Sequence, residues 1–526
     1  MPSLVTDNFR VFAAEQFIES LEEPYDSSDD PVADGTSAAR NYRSKIYLFT
    51  GRSQDWTLER YDGVSGVSEF EPPAPYDSFN DMNEIYDDMI SMKRVKRADL
   101  SQVIRRNTWK TGVKYDMYKN NYTPDNLSLN GQSSLYDAQY YVINQNYQVY
   151  KCIYNGISPS HPDGRESTVE PTGTSTSIIE SSSDGYRWKY MYTINISDYI
   201  RFVSSDFIPV KTDSAVVSAA VDGSIDQLVI SNRGSSGQTA NTYYCPIIGD
   251  GGTGANSTKA IARVVIPASG SNAGKIDTVA LEQVGEGYTR GTVLLGEAYT
   301  SIANALSRSG STSTLSGSIE VIISPPGGHG ANPALELGGY RVMINKSLEF
   351  LDGDGDIPVD SQFRRYGLVA DPQTPSSVDL ESEFATACLS IKFPTSGSGA
   401  PTGDFEPGKI ITQTTTGAKG RVIHYDSVTK VLKYYQNEYI DETQTGQNAY
   451  KLVPFSGSNA ISSVTSQGTV TGTPSGSGSF FGVTFTNGYA SPEVKKNSGN
   501  IIYVENRKAV NRSNDQVEDI KLVVEF

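Results

Sequence analysis

Two glycine- and aspartate-rich stretches have residue types and spacings that could do chemistry. GDGGTG, Gly249 to Gly254, has the spacing of a loop that cradles a dinucleotide pyrophosphate, and it follows the strand-like YYCPII. That chemistry needs a helix next, because the helix's first N–H groups hold the phosphate oxygens. ANSTKAIARVVIP, which comes next, reads as a strand, so no nucleotide site is expected. In DGDGD, Asp352, Asp354 and Asp356 occupy positions one, three and five of a calcium loop and are the chain's metal candidates. Position six is Ile357 instead of the turn glycine, and position twelve is Phe363 instead of a bidentate Glu. An acidic turn between strands is the expectation.

The three histidines, His161, His329 and His424, have no second ligand at metal spacing. The nucleophile elbow, the zincin helix and the phosphate-binding lysine loop are all missing from the sequence. Carboxylates are too abundant for a glycosidase pair to be singled out by spacing. The expectation is a protein that is not an enzyme and binds no cofactor.

A formal net charge of −17 argues against a surface built for nucleic acid or membrane, and neither is expected as a partner. Lys93, Arg94, Lys96, Arg97, Arg105 and Arg106 form the one local basic run, read as a solvated face beside a helix. Cys152, Cys245 and Cys388 are odd in number and far apart, which fits a reducing compartment better than a disulfide framework. MPSLVTDNFRVF lacks the features of a signal peptide, and no apolar run is long enough to span a membrane. A soluble chain made in the cytoplasm is expected. Thirty-two Tyr, with 48 Gly and 25 Pro, suit a turn-rich β protein with wide contact surfaces.

The elements that must position these residues are mostly strands. KIYLFTG, QYYVINQNYQVYKCIYN, YRWKYMYTINI, DFIPVK, YRVMINKSLEF and KVLKYYQNEYI carry strand composition, separated by Gly, Pro, Ser and Asp clusters. In the closing run, Ile520, Leu522, Val524 and Phe526 alternate with Lys521, Val523 and Glu525, which predicts a half-buried strand tied into a sheet. Two helices are expected. One runs from about Phe9 to Leu21 with Phe9, Phe12, Ala13, Phe17 and Leu21 on its buried face. The other follows a Ser78/Asp81 capping box, with Met82, Ile85, Tyr86, Met89 and Ile90 as its stripe. EEPYDSSDDPVADG between them reads as an acidic arm.

Residues 213–335 and 376–490 differ from their surroundings, being rich in Gly, Ser and Thr. Within the first, GSIDQLVISNRG (Gly223 to Gly234) matches GKIDTVALEQVG (Gly274 to Gly285), a duplicated turn–strand–turn unit.

SGNIIYVENR (Ser498 to Arg507) and the closing DQVEDIKLVVEF resemble the C-terminus of baseplate wedge subunits of T-even-type contractile-tailed phages, specifically wedge component eight. GRSQDW (Gly51 to Trp56), EPPAPYDS, IRRNTW, VYKCIYN, VEP, DGYRWKYMYTI, FIPV and FRRYGLVADP (Phe363 to Pro372) resemble further family pieces in the same order. The resemblance covers about 40–212, 340–375 and 495–526; the two Gly/Ser-rich segments resemble β modules that decorate structural proteins of related marine phages.

The resemblance implies a mainly β fold: two immunoglobulin-like β-sandwich modules, few helices, and inserted Gly/Ser-rich β domains. It divides the chain into a helix and acidic arm (1–40), core (41–212), insertion (213–335), core (336–375), insertion (376–490) and closing core strands (491–526). It also implies a structural virion protein of the tail baseplate, assembled in the host cytoplasm and binding other wedge proteins; self-association stays open. Arg52, Trp56, Trp109, Trp188, Tyr503, Glu505, Asn506 and Arg507 are the family positions, expected to be structural or at an interface, with Tyr503, Asn506 and Arg507 as a structural corner. The alternatives are a receptor- or carbohydrate-binding tail protein and a cell-wall hydrolase.

Overall fold

The computed structural model describes residues 4–21, 45–181, 183–252, 259–349, 357–440, 452–480 and 483–526. Among the described residues, twenty-eight strands and six α-helices make the fold mainly β, with antiparallel sheets. The chain forms two compact units, Met1–Gln16 with Ser101–Met343 and Val523–Phe526, and Phe17–Leu100 with Ile344–Leu522. The expected core segment 41–212 is therefore divided between them after Leu100, and each unit takes in one Gly/Ser-rich segment.

In the first unit a four-stranded sheet runs Tyr141–Ile143, Gln148–Tyr154, Arg187–Thr193, Ile179–Glu180. Its hairpin turn forms because the Asn144 side chain accepts from the N–H groups of Asn146 and Gln148, at 2.9 and 3.0 Å. The tyrosine bias becomes core here: Tyr140, Tyr150, Tyr186 and Tyr192 are buried around Trp188. The 213–335 segment has a core of its own, including Tyr243, Cys245, Val264 and Ile276. The two repeat copies supply the strands Ile225–Asn232 and Thr278–Gln283, which lie in different sheets. Each copy opens on a glycine in the left-handed region, Gly223 (φ 59°) and Gly274 (φ 71°). A Cβ at Gly223 would stand 2.3 Å from the Tyr288 backbone nitrogen, so glycine is required there.

In the second unit a five-stranded sheet runs Phe384–Thr386, Met89–Arg94, Ile46–Gly51, Ser361–Ala370, Asn500–Arg512. It brings the N-terminal and C-terminal thirds of the chain into one layer. The 376–490 segment contributes a seven-stranded sheet over Ile391, Phe393, Phe405, Ile411, Leu432 and Phe455.

The closing strand is Glu518–Glu525, with Ile520 and Leu522 buried. Asp519 accepts from Ser347 Oγ, and Glu525 pairs with Arg341 (2.9 Å) and Arg10 (2.6 Å). The Ser78 hydroxyl caps the helix Phe79–Asp88 by accepting from the Asp81 N–H at 3.2 Å, and Ile85 is buried as the stripe requires. Met89 and Ile90, expected on the same stripe, are buried instead in the strand Met89–Arg94 that follows the helix directly.

The N-terminal helix, Asp7–Glu19, departs from expectation. Val11, Ala14 and Ile18 are its buried residues, while Phe9 and Phe12 are 61% and 54% exposed. Polar anchoring sets this rotation. Arg10 lies 3.7 Å from the centre of the Tyr340 ring and pairs with Glu525, which turns Val11 onto Ala334 and Tyr340. Among the described residues, no helix is long and apolar enough to cross a membrane.

Candidate functional site

Positions far apart in sequence meet at one buried node in the second unit. The strand Ile46–Gly51 ends at Arg52, a non-glycine residue with φ 54°, and the chain then turns to place Trp56 under the sheet. Both side chains are fully buried. The Trp56 indole N–H donates to the Arg507 carbonyl at 2.7 Å, a contact spanning 451 positions. The Arg52 guanidinium lies 4.3 Å from the centre of the Trp56 ring and donates to the carbonyls of Asp55 and Leu58. Asp88, at the end of the capped helix, accepts from Arg365 Nη1 at both carboxylate oxygens, at 3.0 and 2.9 Å. Arg365 also donates to Asn506 Oδ1 at 2.9 Å, and Asn506 donates to the Pro73 carbonyl at 2.8 Å.

Desolvation dominates the electrostatics of this node. Burial pushes the Asp88 carboxyl up to about 7 against the pull of Arg365 and Arg52, and it lowers the Arg52 guanidinium. Hydrogen bonds between ionised partners are stronger than neutral ones, and Arg365 makes one such contact to each oxygen of Asp88. The node's charged groups are engaged with one another and with backbone, an arrangement that locks geometry.

A second carboxylate joins the 376–490 segment to this framework. Glu59, also at positive φ (60°), accepts from Arg421 Nε (2.8 Å), Tyr435 OH (2.9 Å) and Asn437 Nδ2 (2.6 Å). Gln54 adds a fourth donor at 2.6 Å.

Of the other family positions, Tyr503 and Arg507 both bond the Glu505 carboxylate, at 2.7 and 2.6 Å, and the Arg507 side chain is 55% exposed. So Asn506 enters the buried node with Arg52 and Trp56, while Tyr503, Glu505 and Arg507 form a ladder beside it. Trp109 and Trp188 belong to the first unit. Trp109 is partly buried and donates to Ser167 Oγ at 3.0 Å. Trp188 is buried and stacks on Tyr186, with ring centres 5.3 Å apart.

The basic run is mostly engaged: Lys93 donates to the Ser347 carbonyl, Lys96 pairs with Glu383 at 2.8 Å, and Arg106 donates to the Ser204 carbonyl. A strand, Ile261–Ile266, follows the GDGGTG stretch, as its sequence predicts. Asp352, Asp354 and Asp356 lie outside the described residues, as does EEPYDSSDDPVADG. No group of three or more His, Cys, Asp or Glu side chains among the described residues could hold a metal. All three cysteines are buried and free.

Sequence reasoning missed a buried cluster in the first unit. Lys151, in the central strand Gln148–Tyr154, contacts both Glu336 Oε1 and His329 Nδ1, and its Nζ lies 4.2 Å from the centre of the Tyr118 ring. His329 Nδ1 is 3.1 Å from Glu336, and Nε2 is 3.3 Å from Asp226 in the first repeat copy. The Gly330 N–H donates to Glu336 at 2.6 Å. Burial pushes both the Lys151 amine and the His329 imidazole well down. The available signal was a lysine inside an otherwise apolar strand, VYKCIY, but its partners lie 178 and 185 positions away.

Compared with known protein families and with curated proteins, the chain matches none.

Proposed function

We propose that this chain is a structural component of the baseplate wedge of a contractile phage tail, with immunoglobulin-like β-sandwich modules as its core. It binds other wedge proteins and helps transmit the shape change of the plate when the tail contracts. The observation that carries this reading is where the family-like pieces fall. GRSQDW, FRRYGL and YVENR, from both ends of the chain, lie on or beside one five-stranded sheet and meet at the Trp56–Arg365–Asn506 node. VYKCIYN and DGYRWKYMYTI supply the two paired strands of the tyrosine-rich core. Such a frame is rigid, and broad β surfaces on rigid frames suit assembly contacts.

A receptor- or carbohydrate-binding tail protein is the second reading. Its signature would be exposed rings on the inserted segments. Among the large exposed apolar residues described in 213–490, the only aromatic is Phe480.

The test is a small tag in a loop of 213–335, followed by electron microscopy of intact and contracted particles. Six-fold density at the baseplate periphery is the expected result. Density at fibre tips would transfer the assignment to receptor binding, and no density on the particle would overturn the structural reading.

A further inference from the structure

A cavity of about 370 Å³ opens in the second unit, where the end of the helix Phe79–Asp88 meets the 376–490 segment. That volume lies in the range of about 300–1,000 Å³ typical of small-ligand sites. Met89, Ala387, Leu389, Pro492 and Val494 give it apolar walls.

Its polar residues make it more apolar than their names imply, because most of their hydrogen-bonding atoms are engaged elsewhere. Tyr86 donates its hydroxyl to the Ser498 carbonyl at 2.5 Å, and Tyr435 donates to Glu59. Gln436 donates from its amide nitrogen to the carbonyls of Lys419 and Val453, at 2.6 and 2.9 Å. The charge that lines the cavity is Asp87, Lys495 and Lys496. Lys496 pairs with Asp87 and the two cancel. Lys495 donates to the neutral Ser377 hydroxyl at 2.9 Å, and among the described residues no carboxylate pairs with it. An apolar body and a single negative head is the ligand chemistry these groups complement.

We propose that this cavity binds a monocarboxylate with an aliphatic or aromatic body, its carboxylate on Lys495. The site goes beyond the scaffold role, and its failure would leave that role standing.

Decanoate, decanol and acetate, titrated by calorimetry into the full chain below the micelle concentration, test it. Decanoate should bind about tenfold tighter than decanol, the size of one charge-assisted contact of about 1.4 kcal/mol, and acetate should give no heat. Lys495→Ala, an exposed change, should remove most of the preference for decanoate while leaving decanol unaffected. Ala387→Leu, which fills the cavity, should weaken both. Equal affinity for decanoate and decanol in the unaltered chain would overturn the charged head. Absence of binding, or binding that survives Ala387→Leu in a variant with an unchanged circular dichroism spectrum, would overturn the site. If Ala387→Leu does not fold, Lys495→Ala decides alone: an unchanged decanoate preference overturns the assignment.

Discussion

The indole of Trp56 is gripped from two sides, by the Arg52 guanidinium on its face and by the Arg507 carbonyl at its N–H. In the same node Arg365 Nη1 donates to both oxygens of the buried Asp88 carboxylate. Removing a buried partner leaves an uncompensated charge, so Asp88→Ala should cost about 3–5 kcal/mol, read as a shift in the denaturant midpoint. Trp56→Phe should cost about 0.5–1.5 kcal/mol, since it removes the hydrogen bond to the part-buried Arg507 carbonyl. His329 makes a prediction about acid. Its folded state holds the imidazole neutral because burial lowers it, whereas the unfolded chain takes up a proton near pH 6.5. The unfolded state therefore binds more protons as pH falls below that value. The stability contributed by neutral His329 is present above it and drains away below it, by up to about 1.4 kcal/mol per pH unit. His329→Gln should flatten that part of the stability profile between pH 6.5 and 5. An unaltered slope would show that His329 does not titrate there.

Among the elements, the 376–490 segment is fastened to its unit by more than chain continuity. Glu59 gathers Arg421, Tyr435 and Asn437, residues from two adjacent strands and the loop after them, onto one carboxylate. Glu59→Ala should cost about 3–5 kcal/mol, because it leaves the largely covered Arg421 guanidinium without its carboxylate. Amide exchange should accelerate across 418–437 while the tyrosine-rich hairpin of the other unit stays protected. Uniform acceleration would mean that the carboxylate supports the whole fold instead. The capped helix Phe79–Asp88 offers a smaller test. Ser78→Ala should remove about 0.5–2 kcal/mol, because one N-terminal N–H loses its acceptor.

For the whole molecule, two compact units with separate apolar clusters predict unfolding that is not two-state. Scanning calorimetry should give a calorimetric enthalpy larger than the van't Hoff value, and Asp88→Ala should lower the earlier or later component alone. A single transition with matching enthalpies would show that the units unfold as one.

What the sequence determined by itself was local. Strand composition located Ile46–Gly51 and Arg187–Thr193, and period-two alternation located Glu518–Glu525, because side-chain direction in a strand follows directly from position. The Ser78 cap was legible for the same reason, since donor and acceptor sit three residues apart. The Asp7–Glu19 helix was legible as a helix but not in its rotation: two apolar stripes compete there, and Arg10 chooses between them through Tyr340 and Glu525, at the far end of the chain. The family positions could be named, yet only folding brought Arg52, Trp56 and Asn506 to one node and left Trp109 and Trp188 in the other unit. Of the Lys151–His329–Glu336 cluster the sequence showed only a lysine inside an otherwise apolar strand, without its partners. Its members are joined by packing across more than 170 positions, and contacts of that range are decided by the tertiary structure because no periodicity of the backbone encodes them.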